Sequence, residues 1–148
     1  MTNHWSPGID RGDGIWIGLV DGRSLGVGAR DELKAMVDEE NLVALWPLLE
    51  NDPGTTVAKI IEHWDRLAGG QFENPESLIV TIVSSALKGR QIYWIEHAIH
   101  WLSYMAQSRR FSATILSRLV EGVAGLDAMP QAVRHDVERI KRLLTPKQ

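Results

Sequence analysis

The amino-acid sequence predicts a mainly α fold: a compact bundle or short array of antiparallel helical hairpins, about six helices in all, preceded by an N-terminal β-hairpin. Three observations carry the prediction. Apolar residues recur at helical spacing from Thr55 onward, capping residues and prolines divide that stretch into helix-sized segments, and glycine crowds the first 28 residues. With 148 residues, 44% of them hydrophobic and 24% charged, the chain has the size and balance of one globular domain spanning 1–148.

The glycine-rich segment 1–28 holds Gly8, Gly12, Gly14, Gly18, Gly22, Gly26 and Gly28. Each glycine costs a helix interior about 1 kcal/mol relative to alanine, so strands are favoured there. Ile15 to Val20 is β-prone, Asp21-Gly22 is the dipeptide of a type I′ turn, and Arg23 to Val27 provides the returning strand. Next comes a kinked acidic helical segment over 31–50. Asp31 is its N-cap, Leu33, Met36 and Val37 share a face, Leu42, Leu45, Trp46 and Leu49 form a second apolar set, and Pro47 breaks or kinks the helix near Trp46.

The helical body spans 55–144. Thr55 or Thr56 caps a helix carrying Val57, Ile60, Ile61, Trp64 and Leu67, stopped by Gly69-Gly70. Asn74-Pro75-Glu76 starts a helix that runs through Leu87 and closes at Gly89; the apolar run Leu78 to Val83 would suit a buried strand, but its caps favour helix. The most apolar helix covers about Gln91 to Gln107, Ser112 opens another that ends near Gly125 or Asp127, and a last one from Pro130 carries the narrow stripe Val133, Val137, Ile140 and Leu144. Ile61-Glu62-His63 recurs 34 residues later as Ile95-Glu96-His97, a period of the order found in helical-hairpin repeats.

Several function classes are disfavoured by composition. The absence of cysteine removes thiolate metal sites and thiol nucleophiles. No apolar run approaches the ~18 residues of a spanning helix and the first ten residues lack the pattern of a secretory signal, so no membrane association is expected and the expected location is the cytoplasm. The pI of about 5.9 argues against nucleic acid as a partner. No nucleophile elbow, phosphate-binding loop or zincin motif is present, so no catalytic residue, metal ligand or cofactor is assigned and the balance is against an enzyme.

What remains points to binding. Residues 1–76 carry 14 acids and 6 bases, whereas residues 77–148 carry 5 acids and 10 bases. The acids Asp38, Glu39 and Glu40 are candidates for meeting a basic partner, and Trp16, outside the helical body, is a candidate anchor. On the central helix Tyr93, His97, His100 and Tyr104 follow i, i+4, i+7, i+11 spacing with Glu96 beside them, which places a polar stripe on one face. Such a stripe also suits the wet side of a helix buried elsewhere. The expected function is therefore a non-enzymatic protein-binding module that docks to or occludes a partner protein, in the manner of antitoxin or immunity proteins. The alternative is a small-ligand- or metal-binding helical protein using the Tyr/His stripe, and homo-oligomerisation is left open.

Overall fold

The N-terminal residues fold as a four-stranded antiparallel sheet, which corrects the predicted helical bundle with its two-stranded hairpin to a mixed α/β architecture. The computed structural model describes residues 4–124 and 129–145. The strands β1 (Trp5–Asp10), β2 (Trp16–Val20), β3 (Ser24–Gly28) and β4 (Leu33–Met36) lie in the order β1-β2-β3-β4. The chain divides into two compact units, 1–85 and 86–148.

In the first unit the β2–β3 turn stands where Asp21-Gly22 requires it, with φ of 55° and 69° at the two residues. Burial continues along β2 and β3, from Ile17 to Val20 and from Leu25 to Gly28, so these are central strands covered on both faces. Gly18 lets β1 approach β2: a Cβ there would meet the Ser6 carbonyl oxygen and lie 2.8 Å from the Pro7 Cα. β1 escaped the sequence reading because it contains Pro7 and Gly8. Both are tolerated at a sheet edge, and the register shifts between Pro7 and Ile9.

β4 overturns the expected helix that begins at Asp31. Leu33, Met36 and Val37 satisfy helical spacing, but Leu33, Ala35 and Val37 equally satisfy the strand period, and four residues are too few for periodicity to arbitrate. Pairing with β3 decides it: Met36 lies opposite Gly26, Ala35 opposite Val27, and the Val37 N–H donates to the Leu25 carbonyl at 2.9 Å.

The rest of the acidic segment is a 3-10 helix, Val43–Glu50, that runs through Pro47 without the expected break. In an i to i+3 pattern the missing Pro47 N–H would have served the Ala44 carbonyl. That carbonyl instead accepts from the Arg11 guanidinium at 2.8 Å, so a side chain from the β1–β2 loop replaces the lost donor.

Helix α1 (Pro53–Glu62) starts earlier and ends earlier than expected. Asp52, not Thr55 or Thr56, is the N-cap, its carboxylate accepting from the Thr55 N–H and hydroxyl at 2.9 Å each, with Pro53 at the first helical position. The helix stops at His63, well before Gly69-Gly70, and a 3-10 turn Trp64–Arg66 packs against β1. Leu67, buried, reaches the backbone of Gly8.

Helix α2 (Pro75–Lys88) begins as its sequence requires, Asn74 Oδ1 accepting from the Ser77 N–H at 2.8 Å. Leu78, Ile79, Ile82, Val83 and Ala86 are buried, a helical face rather than a strand. The left-handed residue after it is Arg90, φ 59°, not Gly89.

The second unit holds α3 (Ile92–Ser108), α4 (Ala113–Ala124) and α5 (Gln131–Leu144), each packed against the other two. Arg109, φ 59°, closes α3 in the left-handed region. Ser103, buried, receives hydrogen bonds from Arg139 of α5 at 3.2 Å and from Gln107 at 3.4 Å. The expected end of α4 at Gly125 or Asp127 lies outside the described residues. The two copies of the echoed tripeptide fall at unlike positions: Ile61-Glu62-His63 ends α1, with His63 as its C-cap, whereas Ile95-Glu96-His97 sits inside α3.

Candidate functional site

The charge asymmetry falls on the structural division. Residues 77–85 carry no charge, so the first unit holds 14 acids and 6 bases and the second 5 acids and 10 bases. Within the first unit the acids concentrate around β4. Asp31 and Glu32 precede the strand and Asp38, Glu39 and Glu40 follow it, all of them exposed. Asp38 shapes the turn: its carboxylate accepts from the Glu40 N–H at 2.9 Å, and its carbonyl from the Asn41 N–H at 2.9 Å. Asn41 then accepts from the Val43 N–H at 3.2 Å. The Asp38 carboxylate is thus engaged by the Glu40 main chain, and Glu39 and Glu40 are exposed at the bend.

Between these acids lies an open sheet edge. Lys34, Ala35 and Met36 are exposed, Met36 to 51%, and Val43 just beyond the turn to 49%. Because the Val37 N–H bonds the Leu25 carbonyl and Ala35 faces Val27, ladder alternation turns the N–H and C=O of Met36 away from β3. Sequence reading found the acids but missed the edge, having assigned those residues to a helix. The alternation of Leu33, Ala35 and Val37 is the signal that could have found it.

Trp16 does not stand out as a free anchor. It is half-buried at the start of β2, paired with Gly28 and Asp10, and the Arg30 guanidinium lies 5.5 Å from its ring centroid. Trp5 is held similarly, its indole N–H donating to the Ala29 carbonyl at 2.9 Å.

The Tyr/His stripe does share one side of α3, as its spacing requires, but that side is open to water. Tyr93 is 52% exposed, Glu96 and His100 are exposed, and His97 and Tyr104 are half-buried. Tyr93 and His97 meet edge-on with ring centroids 4.7 Å apart, and Trp94, outside the stripe, meets Tyr93 at 4.9 Å. Among the described residues no group of three His, Asp or Glu side chains is placed to hold a metal ion.

A cleft of about 400 Å³ opens on α4 and α5, lined by Ser117, Val120, Glu121, Lys141, Leu144 and Thr145. Its Lys141 ammonium lies 3.6 Å from the Glu138 carboxylate, and among the described residues no histidine lines it beside Ser117. Elsewhere, the Arg11 guanidinium, bonded to Asp13 at 2.6 and 3.0 Å, holds that carboxyl below its ordinary range. That pair ties down the β1–β2 loop. Among the described residues no helix is long and apolar enough to cross a membrane. Compared with protein-family models, curated proteins and solved structures, the chain matches none.

Proposed function

We propose that this protein is a non-enzymatic docking module of the cytoplasm that binds a basic partner protein through the acidic segment around β4. The observation that carries the proposal is the exposed edge of β4 framed by Asp31 and Glu32 on one side and Asp38, Glu39 and Glu40 on the other. Charges so placed steer an oppositely charged surface and set its register, and exposed Met36 and Val43 supply apolar area for it to cover. Occlusion of the partner, as antitoxin and immunity proteins achieve it, is the matching mode of action.

The test is affinity capture from the source cell with the wild-type chain and with an Asp38→Asn, Glu39→Gln, Glu40→Gln variant. These substitutions keep the Asp38 turn acceptor while removing charge. A basic protein held stoichiometrically by the wild type, released by salt, and bound at least about tenfold more weakly by the variant is expected. A folded bait that captures no stoichiometric protein, or equal capture by the variant, refutes the proposal.

A further inference from the structure

Resting on that docking reading, we infer that the partner engages by strand addition: an extended basic segment of another protein pairs with β4 and becomes the fifth strand of the sheet. The geometry supplies the main-chain half of the interaction. Met36 offers an outward N–H and C=O, and its neighbours Lys34 and Ala35 are exposed, so main-chain groups stand where an incoming backbone would pair. The bulge between Val27 and Gly28 limits the regular edge to the stretch around Ala35 and Met36, so the acids at its ends must supply much of the affinity.

Charge decides what the occupant is. From Glu32 to Asp38 an extended chain spans roughly 20 Å, so a segment with basic residues near both ends and alternating residues between meets acids at each end. A second copy of this chain brings the same acids to the edge. Two β4 strands paired antiparallel about Ala35 would set Glu32 against Asp38 and Asp31 against Glu39, like charges directly opposed at both ends. In that register the acids that attract a basic strand oppose self-pairing, whereas pairing about Met36 would set Lys34 against Asp38, so the oligomeric state is measured as well.

The probe is a fluorescent octapeptide of alternating valine and threonine flanked by two lysines at each end. A second peptide of equal charge carries proline for the central valines. Binding of the first peptide, at least tenfold weaker binding of the second, and at least tenfold slower hydrogen exchange of the Met36 N–H in the first complex are expected. The Met36→Pro variant, whose lost N–H faces outward, should bind the first peptide at least tenfold more weakly; the exchange measurement on the wild type stands if that variant does not fold. Equal binding of the two peptides, or an unchanged Met36 exchange rate, overturns strand addition while leaving charge-driven docking intact. No binding of either peptide also overturns it, and the affinity capture then judges the docking reading separately. A dimer in light scattering that Met36→Pro dissolves would make the occupant a second copy and overturn the inference.

Discussion

Replacing Ile140 by alanine tests whether α5 is held as the structure requires. Helix α5 buries Val133, Val137 and Ile140, and Ile140 is 0% exposed. The substitution removes three carbons, worth roughly 2.4 kcal/mol in transfer free energy at about 0.8 kcal/mol each. A residual cavity adds to this, since the two helices it faces relax only in part, and isoleucine-to-alanine changes in cores span about 2–5 kcal/mol. We expect about 3 kcal/mol, read from urea unfolding followed by circular dichroism. The comparison is Leu143→Ala, three residues on in the same helix but 47% exposed, which should cost less than about 1 kcal/mol. If Ile140→Ala costs under about 1 kcal/mol, or Leu143→Ala costs as much, α5 presents a different face and its packing here is wrong.

Two further perturbations probe the first unit. Gly18→Ala should destabilise by about 2 kcal/mol and lower Tm by roughly 4–8 °C, because the new Cβ meets the β1 backbone at Ser6 and Pro7 rather than a yielding side chain; an unchanged melting curve would mean that β1 is not paired there. Arg11→Met should raise the Asp13 pKa toward its ordinary value in a carboxylate NMR titration, since the Arg11 hydrogen bond is the largest cause of its depression. The sign follows: a carboxyl whose pKa is lowered on folding stabilises above its unfolded pKa, and that contribution is lost as pH falls through the folded value. With Asp13 46% exposed the linked stability is below about 1 kcal/mol, so the titration rather than the melt is the sensitive readout, and an unmoved Asp13 pKa would refute the pairing.

Much of the helical half was legible in the sequence because its signals are local. Asn74-Pro75 starts α2 by capping chemistry that involves only the next three residues, and the stripe Val133, Val137, Ile140 follows from helix geometry alone. Asp21-Gly22 makes its turn for the same reason, each residue's φ being its own. The spacing of Tyr93, His97, His100 and Tyr104 likewise determined that they share a side of α3. It could not determine whether that side faces a cavity, a helix or water. Burial of Ser103 beside Tyr104 and exposure of His100 are set by where α4 and α5 lie.

The sheet and the candidate site were decided by tertiary structure. Leu33 to Met36 is short enough to satisfy both periods, and only the β3 ladder, whose partners come from Gly26, Val27 and Gly28, chooses the strand. α1 ends at Glu62 where the sequence alone would extend it, because Leu67 and the turn before it pack on β1. Pro47 does not break its segment because Arg11, thirty-six positions earlier in the chain, satisfies the carbonyl that proline leaves open. The sequence by itself determined which residues are acidic and which segments can be helices. Pairing between distant segments decided that the acids flank an open strand, since a backbone edge exists only once its neighbour is in place.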